Sequence, residues 1–260
     1  MNKIRLALLV LVFSFTGIAH AMEGTFDRTA EVEKYIEELK SSNRSALISV
    51  SLEIADTGIG DERLAGAISE RLLQDYRRLA DYYKKENIEY GVFMVRALAS
   101  CGVEGYAATL QQVKTGASIP KIRSAAAKEL KSIMWHSGKN TIMASMRNHH
   151  DGDNPMISRL INLLLTDDVS YKLWAIRRIH QDKLYDQRVM AAIAPQVQSY
   201  VGHVGGIHSK NEDDVIAHFV KILGYSKDVQ YRPLLEKVVA LDHVNLGAQK
   251  HAKRALDQLQ

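Results

Sequence analysis

Apolar residues recur along most of the chain at spacings of three and four, which is the periodicity of an amphipathic α-helix. One arrangement repeats: a polar or basic residue, a small or apolar residue three positions later, and a Leu or Ile seven positions later. Arg123, Ala126 and Leu130 show it clearly. Because these positions share one side of a helix, each copy presents a single apolar stripe. No segment has a convincing strand pattern, so the pattern predicts an all-α protein.

The copies recur at the spacing of a paired-helix repeat. Consecutive copies are separated by 32 to 49 residues, which is the range found in α-solenoids. They begin at Leu47, Gly91, Arg123, Lys172, Ile216 and Gln249. A second amphipathic segment precedes each copy, so we expect a right-handed α-solenoid of about six helix–turn–helix units. The spacing is interrupted near residues 135–153 and 202–212, where Gly, Asn and His predict irregular loops.

With this repeat pattern, the chain resembles the HEAT-repeat family. The residues that carry the resemblance are the segments 95–102, 119–126 and 253–256, which read VRALASCG, IPKIRSAA and KRAL. It extends over most of residues 29–260. The resemblance implies stacked helical hairpins whose second helices line a concave face, and a role as a scaffold or binding surface.

The N-terminal segment has the features of a secretory signal. Lys3 and Arg5 precede an apolar run from Leu6 to Ile18, and a small-x-small cleavage motif ends at Ala21. The run is shorter than the roughly 20 residues that a membrane-spanning helix needs. We therefore expect residues 1–21 to be removed and residues 22–260 to form one exported, periplasmic or secreted, domain without a membrane span. Cleavage removes two basic residues and no acid, so the net charge falls from +4 to +2.

Composition limits the possible kinds of protein in three respects. Cys101 is the only cysteine, so no intramolecular disulfide is possible, and its apolar surroundings predict a buried small side chain. The near-neutral charge of the processed chain gives no reason to expect nucleic acid as a partner. The hydrophobic fraction of 46% is that of a globular protein with a packed core.

Signatures of catalysis are few. His149, His150, Asp151 and Asp153 are residue types that ligate Zn²⁺ or another divalent ion, and they fall within one short loop. The alternative function is therefore a metal-dependent or hydrolytic enzyme that uses this loop. No His is followed by Glu, so the His-Glu pairs of HEAT-type di-iron hydroxylases are absent from the sequence. We expect a protein that is not an enzyme and needs no cofactor.

Charge is distributed unevenly between the two kinds of helix. The six second-helix segments carry a summed charge of +5, whereas the six first-helix segments carry −2. The basic residues of the second helices that we expect to bind the partner are Lys121, Lys128, Lys131, Lys172, Arg177, Arg178, Lys250, Lys253 and Arg254. A basic concave face favours an acidic protein or peptide as partner. The sequence thus predicts an adaptor or scaffold that binds such a segment, with Trp135 and Trp174 as aromatic anchors or core residues.

Overall fold

A computed structural model describes residues 25–81, 84–150, 152, 154–203, 209–241 and 246–259. This part of the chain holds thirteen α-helices, three short 3₁₀ helices and no strand beyond one isolated bridge between Thr25 and Ser145. The α-helices are α1 (Thr29–Glu38), α2 (Arg44–Thr57), α3 (Glu62–Asp75), α4 (Lys85–Ser100), α5 (Ala107–Gly116), α6 (Pro120–Glu129), α7 (Ile133–Ala144), α8 (Pro155–Leu164), α9 (Val169–Asp182), α10 (Gln187–Gly202), α11 (Lys210–Tyr225), α12 (Arg232–Val239) and α13 (Leu246–Gln258). The 3₁₀ helices are Arg78–Asp81, Glu104–Tyr106 and Val229–Tyr231. The predicted signal segment, residues 1–21, lies outside the described residues.

The helices are arranged as two stacks of hairpins. In the first stack α2 packs on α4 and α4 on α6, and in the second α9 packs on α11 and α11 on α13. Each of these six helices contains one copy of the repeated pattern, and its partner precedes it in the chain. The prediction of an all-α solenoid with six helical hairpins is confirmed.

Side-chain caps start many of the helices where the sequence places Asn, Asp or Ser. Asn43, Asp61, Asp168 and Asp186 each accept hydrogen bonds from backbone N–H groups of the first turn that follows. These bonds satisfy donors that have no partner within the helix. At the other end of α2, Gly58 takes the left-handed conformation with φ of +70°, which ends the helix.

Helix α7 corrects one prediction. The sequence predicts an irregular loop at residues 135–153, but residues 135–144 lie in α7, the one α-helix of the described chain that belongs to none of the six hairpins. Tertiary contacts hold it: the Asn140 amide donates to the carbonyl oxygens of Ser100 and Cys101, at 2.7 and 3.0 Å. Helix α7 is therefore held at the end of α4, and it also packs against α8.

The second predicted loop, residues 202–212, is also shorter than expected. Gly202 is the last residue of α10, and α11 already begins at Lys210. The early start is due to a capping box, in which Ser209 accepts from the backbone N–H of Glu212 and the Glu212 side chain accepts from that of Ser209.

The two stacks have separate hydrophobic cores that meet at α7. The first core extends from Val32 to Ile133 and the second from Met143 to Ala255. Ion pairs join the stacks across the boundary, between Arg159 and Glu31 and between Arg178 and Asp56. In the described part of the chain, no helix has the length and hydrophobicity that a membrane span requires.

Candidate functional site

The close packing of α11 on α13 creates a small basic pocket. The helices approach closely at Gly224, where an added Cβ would lie 2.5 Å from the Cβ of Ala255. Longer polar side chains on both helices surround this contact and enclose a cavity of about 190 Å³. The cavity, which we call the α11–α13 pocket, is lined by Lys221, Gly224, Tyr225, His251, Arg254, Ala255 and Gln258.

Lys221 and Arg254 supply the positive charge of this pocket. Neither forms a salt bridge with an acidic residue in the described ranges. The Lys221 ammonium lies 5.6 Å from the centroid of the Tyr225 ring, a cation–π contact that leaves its charge uncompensated. The pocket therefore offers two cations to an incoming anion.

Three histidines, one each from the stacked helices α9, α11 and α13, lie in or beside the pocket. His180 comes from α9, His218 from α11 and His251 from α13, and the His180 and His218 ring centroids are 6.1 Å apart. The His180 ring packs edge-on against Tyr225, with centroids 5.7 Å apart, and its Nδ1 is 3.4 Å from the Tyr185 hydroxyl. Nε2 of His180 and Nδ1 of His218 are buried and have no hydrogen-bond partner among the described residues.

The surroundings keep these imidazoles neutral. Burial is the largest cause that lowers the pKa of His180, and the charges of Lys221, His218 and His251 lower it further, to about 4. Burial and Lys221 also lower the pKa of His218 and of His251. A cluster of imidazoles beside uncompensated cations disfavours added protons, because each proton would join like charges in a partly dehydrated site.

This arrangement is suited to anion binding. Lys221, Arg254 and the Gln258 amide can donate hydrogen bonds to one anionic group, and a guanidinium binds carboxylates in a two-point geometry. Among the described residues, no group of three or more His, Cys, Asp or Glu is arranged to hold a metal ion.

The structure separates the basic residues that the sequence grouped on one face. Lys121 and Lys128 lie on α6, and Lys131 follows that helix, so all three belong to the first stack and are exposed. Arg177, Lys250 and Arg254 belong to the second stack, where they lower the pKa values of His218 or His251. Lys253 is exposed on α13.

Two of the predicted basic residues make specific contacts within the chain. Lys172 donates a hydrogen bond to Gln196 Oε1 at 2.6 Å. Arg178 pairs with Asp56 in the other stack and with Asp182 on its own helix. Arg178 therefore joins the two stacks and is not a free surface cation.

The residues proposed as metal ligands only partly fall within the described chain. The His149 ring packs edge-on against Phe26, with centroids 4.6 Å apart, and His150 is exposed. Asp151 and Asp153 lie outside the described residues. For His149 the structure shows an aromatic packing contact.

Sequence reasoning missed the histidine cluster, although a signal was present. His180, His218 and His251 are 38 and 33 residues apart, which lies within the repeat spacing of the chain. A residue that recurs at the repeat spacing tends to lie on the same side of successive hairpins. A comparison of the histidine spacing with the repeat spacing therefore indicates that these three residues lie on the same side of neighbouring hairpins.

A second unexpected feature is the complete burial of Lys139 on α7. Its side chain has no exposed surface, and Nζ has no hydrogen-bond partner in the described part of the chain. Nζ lies 4.2 Å from the centroid of the Trp174 ring and 5.7 Å from that of Trp135. Burial lowers the pKa of Lys139 to about 8, while the nearby Asp56 carboxylate acts in the opposite direction. Both tryptophans therefore pack around a buried amine.

The lone cysteine is buried, as predicted. Cys101 is 1% exposed, and burial raises the pKa of its thiol to about 12. A thiol in this state is a poor nucleophile.

Comparisons with known proteins do not assign a family. No model of a known protein family matches the chain, and a search of curated proteins found no match. Among solved structures, a designed armadillo repeat protein in complex with the peptide (KR)4 is 13% identical over 88% of this chain and 100% of that chain, with a TM-score of 0.23. A likeness at this level carries no argument about function.

Proposed function

We propose that the protein is a binding scaffold that holds an acidic protein or peptide segment on the surface of α9, α11 and α13. The observation that carries the proposal is the α11–α13 pocket, in which Lys221 and Arg254 lack an acidic partner among the described residues. An unpaired cation at a concave site gains more from an incoming anion than one that is already in a salt bridge.

The charge around the pocket supports an acidic partner. Arg177, Lys250 and Lys253 extend the basic surface along α9 and α13, and all three are exposed. Asp214 and Asp257 are the exposed acids on α11 and α13 nearest in sequence to the pocket residues. Electrostatic complementarity of this kind increases the rate and the specificity of association with an acidic segment.

The finer features of the proposal rest on the sequence. The stacked hairpins agree with HEAT-like repeats, whose resemblance is carried by segments 95–102, 119–126 and 253–256. The segment from Met1 to Ala21 supports export to the periplasm or beyond, where the processed chain would act as an adaptor. We propose no catalytic role, since the described pocket contains no activated nucleophile and no paired carboxylates.

The test combines partner capture with charge reversal. The protein is cross-linked to its neighbours in the compartment to which it is exported, and the recovered complex is compared between wild type and Lys221→Glu/Arg254→Glu. The matched control is Lys114→Glu/Lys237→Glu, which reverses exposed cations on α5 and α12. We expect the pocket variant to lose at least about tenfold in affinity for an acidic partner and the control to change it little.

A third variant separates the two stacks. Lys128→Glu/Lys131→Glu reverses the exposed charges at and after α6 and leaves the α11–α13 pocket intact. The proposal predicts that this variant keeps the partner. If it lost the partner while Lys221→Glu/Arg254→Glu retained it, the binding surface would lie on the first stack and the assignment to α9, α11 and α13 would be wrong.

A further inference from the structure

We propose that the α11–α13 pocket seats one carboxylate of the acidic partner, and that the histidines beside it take up protons when it binds. The partner is then held more tightly as the pH falls. This inference rests on the proposed function and adds the chemical group that enters the pocket and the variable that controls its affinity.

The size of the pocket indicates a single group. Its volume of about 190 Å³ is below the roughly 300–1,000 Å³ of pockets that enclose whole small-molecule ligands. One carboxylate with its stem is a suitable occupant, and the rest of the partner would lie along the exposed surface of α9 and α13. The Arg254 guanidinium and the Lys221 ammonium are the donors for its two oxygens.

The position of the pocket favours a singly charged anion. Tyr225 is the last residue of α11, and Arg254 and Gln258 lie in the last turns of α13. The C-terminal end of a helix carries partial negative charge, which stabilises cations and opposes anions. A carboxylate meets less of this opposition than a doubly charged phosphate, and it is the anionic group that the acidic segment of the proposed function carries, so we assign the pocket to a carboxylate.

The charged and titratable groups around the histidines come from α9, α11 and α13. They are Arg177, His180 and the following Tyr185 from α9 and its connection, Asp214, His218, Lys221 and Tyr225 from α11, and Lys250, His251 and Arg254 from α13. Asp214 is the one acid that raises the pKa of His218, and it is exposed. Cations therefore dominate the surroundings of the three histidines.

A bound carboxylate reverses this balance. Its negative charge offsets Lys221 and Arg254, whose charges oppose protonation of the imidazoles. The buried Nε2 of His180 and Nδ1 of His218, which lack partners among the described residues, become the positions available to a proton or an acceptor. Binding and proton uptake are then linked, because each favours the other by the same free energy.

The size of the effect follows from the pKa shift of His180. If the bound carboxylate returned this pKa fully from about 4 to its ordinary value of about 6.5, affinity would increase about tenfold between pH 7.5 and pH 5.5. This is the upper limit for His180, because burial is the largest cause of the shift and the carboxylate offsets only the contribution of the neighbouring charges. Glutamate side chains remain largely ionised over this range, so the partner itself contributes little to the change. Proton uptake by His218 or His251 would add to it.

The experiment measures binding of a rhodamine-labelled peptide of alternating Glu and Ala by fluorescence anisotropy, at about pH 7.5 and about pH 5.5. The probe is made with a free and with an amidated C-terminus, which separates a side-chain carboxylate from a terminal one. A Gln/Ala peptide and a phosphoserine/Ala peptide are compared with it. The variants are His180→Gln/His218→Gln/His251→Gln and, as matched control, His150→Gln, which removes an exposed histidine far along the chain from the pocket residues.

We expect the Glu/Ala peptide to bind severalfold, and up to about tenfold, more tightly at the lower pH, and the triple variant to lose this pH dependence while His150→Gln keeps it. If the triple variant does not fold, His251→Gln alone and the imidazole pKa values of the wild type, measured by NMR with and without peptide, decide the question. The inference then requires that the peptide raise the pKa of at least one of the three histidines.

The outcomes distinguish this inference from the function on which it rests. Binding that is lost in Lys221→Glu/Arg254→Glu but does not change with pH would overturn the proton linkage and leave the proposed function standing. Tighter binding of the phosphoserine peptide would overturn the assignment to a carboxylate. Absence of binding to any acidic peptide at either pH would overturn both.

Discussion

Replacement of Lys139 by Met is expected to stabilise the protein. Methionine has a similar unbranched shape, so Lys139→Met removes a buried ammonium from the boundary of the two cores without leaving a large cavity. The lysine has no hydrogen-bond partner in the described part of the chain, and its Nζ faces the rings of Trp174 and Trp135. The change therefore removes an unfavourable burial and little that compensates for it.

The magnitude follows from the pKa of Lys139, which burial lowers from 10.5 to about 8. A shift of this size corresponds to about 3 kcal/mol of stability lost at neutral pH, where the amine is charged in both states. Loss of the cation–π contact with Trp174 takes back about 0.5–2 kcal/mol. We expect a net gain of about 1–3 kcal/mol, which raises the melting temperature by several degrees in a domain of this size.

Thermal and urea unfolding followed by circular dichroism measure this gain, with Lys131→Met as control because Lys131 is exposed. The gain must also depend on pH. Between about pH 8 and 10.5 the unfolded chain holds the lysine proton and the folded wild type does not, so the wild type recovers stability as the pH rises. A gain that is absent at pH 7, or that persists undiminished near pH 10, would refute the interpretation that Lys139 is an uncompensated buried charge.

Three further predictions concern the boundary of the stacks and the histidines. Asn140→Ala should lower the free energy of unfolding by about 1–3 kcal/mol, because two carbonyl oxygens at the end of α4 lose their donor. Urea titration measures this loss, and an unchanged unfolding midpoint would contradict the prediction. Arg178→Ala should destabilise the protein by about 1–2 kcal/mol, and a double-mutant cycle with Asp56→Ala should show coupling between the two; additive effects would mean that this pair does not join the stacks. Acid should destabilise the folded state from about pH 6.5 towards pH 4, because His180 stays neutral in the folded protein while the unfolded chain takes up the proton. The melting temperature of His180→Gln should therefore fall less over this range than that of the control His150→Gln.

Amphipathic spacing was sufficient to predict the fold class and most of the helices. Each copy of the repeated pattern, such as those anchored at Lys172 and Gln249, lies in the second helix of a hairpin. The reason is that an apolar stripe is a local property of the sequence, and a helix that carries one must pack it against a neighbour. Capping residues such as Asp168 and Asn154 likewise act over a few residues and can be read directly.

Features that depend on distant residues were decided only by the tertiary structure. Helix α7 lies outside the repeat spacing, and its position is determined by contacts such as that of Asn140 with Ser100, which is 40 residues away in sequence. The basic residues of the second helices are divided between the two stacks, and Arg178 is engaged by Asp56 of the other stack. The pocket itself depends on the close approach of Gly224 to Ala255, which brings together side chains from the second helices of two hairpins. Helical periodicity determines which side of a helix is buried, whereas the stacking of hairpins determines which charges meet.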